Sequence, residues 1–204
     1  MSTQTPAPSI RWLRSIIVVV ILAVGGCWLW QSDLGQQLRL AWWLQRQPSP
    51  TSLPVPVEGV RARRIADTWG GPRNGGRQHQ GVDIFAKRGT PVRSTTPGIV
   101  LRVAEFGIGG KHVWVLGPAG DRHYYAHLDG WAPGLVRGTG VATGSPLGFV
   151  GDTGNAKGTP PHLHYGLYGT GGARNPWPLL QANLGFRGGD RAGEVTPHTK
   201  PAGG

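Results

Sequence analysis

Three short segments of this 204-residue chain gather, in or beside them, five of its seven histidines. In His79-Gln80-Gly81-Val82-Asp83 an imidazole and a carboxylate lie four residues apart. They converge on one ion if the chain turns between them, and Gly81 permits such a turn. The competing reading is a loop in which His79 and Asp83 simply pair. In His162-Leu163-His164, residues i and i+2 of a strand emerge on one face while Leu163 points away. The two imidazoles either share a metal or divide the work, one binding it and the other moving protons. Pro160 and Pro161 stiffen the approach. In Tyr124-Tyr125-Ala126-His127-Leu128, strand alternation puts His123, Tyr125 and His127 on one face. His112 and His123 have no further partner in sequence and read as surface or hydrogen-bonded residues; His198 reads as solvated.

Two histidines, one carboxylate and an open fourth position make the ligand set of a catalytic zinc rather than a closed structural one. Such a metal lowers the pKa of bound water toward neutrality and polarises a carbonyl under attack. Spare imidazoles nearby would shuttle protons and stabilise an oxyanion. Cys27 is the one cysteine, which excludes an internal disulfide and any multi-cysteine zinc site.

HQGVD at 79–83, YAHL at 125–128 and PHLHYGLY at 161–168 together resemble the LytM/lysostaphin-type zinc metallopeptidases, the M23 family. GTPVRSTTPGIV at 89–100 and GSPLGFVGDTGNAKGTP at 144–160 match the family's connecting segments in order, so the resemblance covers roughly residues 55–180. It implies one zinc ion held by His79, Asp83 and His164, and catalytic histidines at His127 and His162. Members lacking these residues generally regulate other cell-wall enzymes; here all five positions are filled. Three departures stand out. Tyr165-Gly166 replaces a common Phe-Glu, Asn155-Ala156-Lys157 with Pro160 replaces Ser, Thr and Gly, and Thr95-Thr96 replaces a small apolar pair.

The elements that must position these residues read as short strands. Gly 35 and Pro 18 make up about a quarter of the chain, which disfavours long helices and suits strands joined by tight turns. There is no Gly-X-Y period, and the glycines lie among large apolar residues, so neither collagen nor wholesale disorder fits. Residues 92–103, 112–116, 123–128, 146–150 and 162–168 are predicted strands, with turns at 107–110 and 117–120. The expected fold is all-β, an antiparallel sheet with glycine-rich loops, preceded by a single N-terminal transmembrane helix. The loops at 67–78 and 129–145 are candidate lids. Tyr125, Tyr165 and Trp114 are candidates to line a groove, although core packing is the expected place of Trp114.

The organisation along the chain follows from composition. Residues 1–14 form a polar, Pro-containing tail and 15–30 a transmembrane signal-anchor built on an uncharged run from Ile16 to Trp30. Arg11 and Arg14 precede the run, which keeps the N-terminus cytoplasmic and exports the rest. Val24-Gly25-Gly26-Cys27 loosely resembles a lipoprotein box, so acylation at Cys27 is the alternative to an uncleaved anchor. Residues 31–54 read as a juxtamembrane helix, lying in the interface through Trp42 and Trp43, followed by a Pro-rich linker. The peptidase-like domain spans 55–180 and a loosely ordered tail 181–204.

A formal charge of +11 permits any polyanion as partner, but the basic residues are scattered, which disfavours nucleic acid. The function expected is a membrane-tethered zinc metalloendopeptidase hydrolysing peptide bonds of peptidoglycan, in the periplasm or cell envelope and anchored in the inner (cytoplasmic) membrane. The alternative is a non-catalytic peptidoglycan-binding protein or activator of a cell-wall amidase. A regulatory protein partner is compatible with either.

Overall fold

The computed structural model describes residues 10–73 and 75–182. The expected terminal tails fall largely outside these residues, as does His198. Two helices lead the chain: α1 (Ile10–Gln31) and α2 (Asp33–Arg46). Helix α1 extends beyond the uncharged run on both sides, giving 22 residues and a length of about 33 Å. Trp12–Gln31 is long and apolar enough to cross a membrane, and its described side chains lie exposed.

The rest is built from β1 (Pro72–Arg73), β2 (Arg77–Gln78), β3 (Val82–Phe85), β4 (Pro91–Arg93), β5 (Gly98–Glu105), β6 (Lys111–Leu116), β7 (Arg122–Ala126), β8 (Leu128–Trp131), β9 (Gly140–Val141), β10 (Pro146–Val150), β11 (His162–Gly169) and β12 (Gly172–Arg174), closed by α3 (Trp177–Gln181). Every strand pairing among the described residues is antiparallel. The main sheet runs β12-β11-β7-β6-β5-β9, with β3 and β12 sharing one edge of β11. A second sheet has the order β4-β10-β8, and β1-β2 is a small hairpin. The chain is therefore mostly antiparallel β, with one N-terminal helix of membrane-spanning length.

Two predicted strands are broken in two, for different reasons. The 92–103 segment splits because Ser94-Thr95-Thr96-Pro97 turns the chain from one sheet to the other. Pro97 has no amide hydrogen to offer a ladder. The 123–128 segment splits at His127, whose φ of 63° ends β7 and starts β8. Strands β1, β2, β9 and β12 are two or three residues long and carry no period that sequence could show.

The core lies between the two sheets, with Val82, Ile84, Val113, Val115, Tyr125, Leu163 and Tyr165 meeting Val92, Leu128, Leu147 and Val150. Packing reaches further back than Val55. Leu53 is buried and donates its amide to Leu179 O (2.9 Å), Ser49 bonds Asp121, and Leu44 of α2 is wholly buried. The Pro-rich segment is thus fastened to the domain rather than standing off from it.

Tyr125 and Tyr165 were groove candidates, but both are fully buried on the core face. Their hydroxyls meet at Thr95 Oγ1, each at 2.9 Å, and His123 Nδ1 reaches Tyr165 at 2.8 Å. Two departures from the family pattern are therefore one feature. A Tyr at 165 brings a hydroxyl into the core, and a Thr at 95 gives it a partner, as a small apolar residue could not. Burial, and secondarily the charge of Arg174, pushes His123 down to about 4, so the network is neutral at pH 7.

Two results follow. Thr95→Val should destabilise by about 1–3 kcal/mol, and adding Tyr165→Phe should recover part of that loss; strict additivity in denaturant titrations would refute the shared-partner account. His123 binds its proton more readily when unfolded, so its contribution is present at pH 7 and fades as pH falls from 6.5 toward about 4. A His123→Gln variant should show a shallower acid slope of stability than the parent, by up to one proton.

Candidate metal centre and cleft

Asp83 and His164 are direct partners in the β3–β11 register, so ladder geometry alone sets them side by side. His162 and His164 leave β11 on the same face, opposite the core-facing Leu163 and Tyr165. His79 precedes β3 and swings in from the β1–β2 side, with its amide bonded to Gly71 O at 2.9 Å. Gly81 acts differently from the turn anticipated. Its φ is not in the left-handed region, but a Cβ there would lie 2.6 Å from Tyr165 O and 2.7 Å from the His164 ring. The residue is glycine for clearance.

His79 Nε2, Asp83 Oδ1 and His164 Nδ1 converge. His79 Nε2 is 2.8 Å from His164 Nδ1 and 3.1 Å from Asp83 Oδ1, and the third side is 3.3 Å. A tetrahedral ion with ligand bonds near 2.0–2.1 Å spaces its ligand atoms about 3.3 Å apart. The set is therefore slightly contracted but of the right size, and its two imidazoles and one carboxylate suit zinc. His79 Nδ1 donates to Thr68 O at 2.7 Å, which leaves the Nε2 lone pair facing the centre. Thr68 Oγ1 also accepts the Asp83 amide at 3.0 Å.

Burial opposes ionisation of Asp83. The adjoining His164 and His79 imidazoles outweigh it, and the carboxyl titrates far below the usual range. Its second oxygen, Oδ2, accepts from Arg73 at 2.5 Å. This arginine, on β1, was read from sequence only as one of many scattered cations. Nothing in its spacing marks it, because the contact is made by the fold of a two-strand hairpin.

His127 does not share a face with His123 and Tyr125, as simple alternation predicted. Its positive φ reverses the side chain to the opposite face, where its ring lies 5.1 Å from that of His162 and 5.8 Å from that of His164. A non-glycine residue in that region costs on the order of 1–3 kcal/mol and needs surrounding structure to hold it. Here the His127 amide donates to Gly109 O (2.9 Å) and its Nδ1 to Thr153 O (2.8 Å). His162 Nδ1 likewise donates to Pro160 O at 2.9 Å. Both rings thus carry their proton on Nδ1 and keep an Nε2 lone pair. Burial, then the charges of His164 and His162, pushes His127 down to about 4, so it is neutral at pH 7.

All five residues singled out in sequence line one cleft of about 900 Å³. The β1–β2 hairpin forms one wall, and Ile108, Gly109, Asn155, Thr159 and Pro160 form the other. Segment 67–78 is thus a cleft wall. Segment 129–145 does not reach the cleft, and its residues Val136–Gly140 face α2 instead. The aromatic lining is Tyr124, Tyr168 and Phe85. Trp114 is half-buried behind them, its ring 4.3 Å from Tyr124 and 5.2 Å from Tyr168. A Cβ at Gly166 would meet the Tyr168 ring at 2.9 Å, so the missing family Glu and this tyrosine are alternatives for one space. His112 lies buried, donating Nδ1–H to Gly110 O, and takes no direct part.

Residues 77–176 match Peptidase family M23. The chain carries a peptidase M23 domain. Among relatives of this M23 domain, the L-Ala–D-Glu endopeptidase of Bacillus subtilis (strain 168) is 39% identical over 142 residues, covering 64% of this chain and 43% of the relative. The DD-carboxypeptidase/endopeptidase Mpg of Neisseria meningitidis serogroup B is 38% identical over 120 residues, 58% of this chain and 25% of that protein. The chain therefore spans less than half the length of these curated relatives. The crystallised catalytic domain of the antimicrobial peptidase lysostaphin from Staphylococcus simulans is 27% identical with a TM-score of 0.50, covering 69% of this chain and 97% of that one.

Proposed function

We propose that this protein is a zinc metalloendopeptidase of the bacterial envelope, tethered by α1 to the inner membrane, that hydrolyses peptide bonds in peptidoglycan. The observation that carries the reading is the convergence of His79 Nε2, Asp83 Oδ1 and His164 Nδ1 on one point of a cleft that also receives His127 and His162. Zinc held there supplies Lewis-acid activation of water and of a peptide carbonyl near neutral pH. The chain's own residues do the rest. His127, neutral and fixed by Thr153, presents an Nε2 able to take a proton from the attacking water. His162, fixed by Pro160, presents a second Nε2 lone pair, which becomes a donor toward the carbonyl oxygen or the leaving amine once it has taken up a proton. The open groove between the hairpin and the 154–160 turn admits an extended peptide. Arg73 and Arg77 on its rim suit a substrate rich in carboxylates.

The test joins metal content to hydrolysis. The purified protein should hold about one zinc and release new amino termini from isolated peptidoglycan, and His79→Ala should lose both. Zinc without hydrolysis would favour a regulatory wall protein; no zinc in the parent would sink the metal assignment.

Arg73 holds the outer oxygen of Asp83 and so fixes which oxygen faces the centre. Arg73→Ala should weaken zinc binding about tenfold or more in competition with a chromophoric chelator, with Arg73→Lys intermediate. A tighter-binding Arg73→Ala would mean that repulsion between guanidinium and metal outweighs orientation.

A further inference from the structure

Helix α2 has three distinct faces. Gln37, Leu40, Ala41 and Leu44, at helical spacing, turn toward the β-domain, where Leu44 is fully buried and Gln37 and Leu40 meet Gly138 and Gly140. A second face grips the end of α1. Gly35 lies so close to Leu29 O that no side chain fits, and Arg39 donates to Trp30 O at 2.5 Å while lying 4.2 Å over the Trp30 ring. Ser32, the single residue between the helices, caps α2 by accepting the Gly35 amide at 3.1 Å. The corner between α1 and α2 is thus braced, not loose.

The third face is uncovered. Leu34, Leu38 and Trp42 follow one another at i, i+4 and i+8, and are 56%, 56% and 60% exposed. Arg46 continues the row, its guanidinium 3.6 Å from the Trp42 ring centre. An apolar stripe that ends in an aromatic residue and a cation matches the layering of a bilayer surface, where acyl chains give way to phosphates. The stripe begins within one turn of a helix that is itself apolar and exposed over Trp12–Gln31.

We infer that α2 lies on the bilayer surface, with Leu34, Leu38 and Trp42 in the acyl–headgroup boundary and Arg46 among lipid phosphates, and that it holds the peptidase domain at a fixed height and tilt. This rests on the reading of α1 as a membrane anchor. The consequence is reach. Because α2 and Leu53 are packed into the domain, the cleft cannot travel on a long tether and serves only wall material close to the membrane.

The test uses the full chain in vesicles of phosphatidylcholine and phosphatidylglycerol, in a Cys27→Ser background. Single cysteines replace Val20, Leu38 or Glu105 and carry a spin label read by power saturation. Val20→Cys and Leu38→Cys labels should favour oxygen over a water-soluble nickel chelate several-fold relative to Glu105→Cys, at the far end of β5. A Val20 label in lipid with a Leu38 label in water overturns the surface docking and spares the anchor. A Val20 label in water overturns both. A Leu38 label shielded from both reagents and broadened by a second label means that another copy covers the stripe, which also overturns the proposal.

Discussion

His127→Ala is expected to keep its zinc while losing hydrolysis by about 10²–10⁴-fold, the range removed with a positioned acid–base group. The separation follows from geometry. His127 stands outside the contracted triangle of His79, Asp83 and His164, its ring meeting that of His164 and, outside the triangle, that of His162. Its Nδ1–H is spent on Thr153 O, so its single free function is the Nε2 lone pair. A gentler change makes the point sharper. His127→Gln retains hydrogen bonding without a titrating nitrogen and should be nearly as slow as the alanine variant. Zinc by elemental analysis and new amino termini from peptidoglycan are the two readouts. Loss of zinc in His127→Ala would make this residue a ligand and would displace one of the other three. Full activity would remove it from the chemistry altogether.

The same residue shows how far the sequence was legible. The pairing of His162 with His164 follows from strand alternation, and β11 places both on one face. Alternation applied to His127 pointed it into the core beside Tyr125. It reaches the cleft only because its backbone is left-handed, and that conformation is imposed from far away, by Gly109 and Thr153. A local period cannot report a tertiary constraint. The family resemblance grouped His127 with His162, and the two rings do lie together in the cleft where periodicity would have parted them, because a motif records the outcome of such constraints. Arg73 was invisible to both arguments, since its contact depends on the β1–β2 hairpin, whose strands of two residues carry no pattern. Tyr125 and Tyr165 were misplaced for the opposite reason. Their hydroxyls suggested a wet groove, whereas Thr95 and His123 satisfy them inside the core. What composition did expose was the class of fold, because so much glycine and proline leaves little room for helices beyond the N-terminal pair.

Gly81→Ala is expected to cost more than its one methyl group suggests. The added carbon would lie 2.6 Å from Tyr165 O, 2.7 Å from His164 Cε1 and 2.8 Å from His164 Nε2. Neither neighbour is the free end of a flexible chain. Tyr165 is anchored in the ladder between β3 and β7, and the His164 ring is held at the centre by Asp83 and His79. Either β3 shifts away from β11, opening the register that pairs Asp83 with His164, or the His164 ring rotates out. Both routes separate the ligand atoms. Zinc affinity should fall by about 100-fold, at the upper end of what loss of ligand support costs, and the metal-free protein should lose about 1–3 kcal/mol through overpacking. Gly130→Ala is the matched control, since a Cβ there meets only Phe149 at 4.0 Å. It should change neither quantity. Chelator competition and denaturant unfolding of the metal-free protein separate the two effects. If Gly81→Ala binds zinc like the parent, β3 can yield without moving Asp83, and the carboxylate is not placed by register alone.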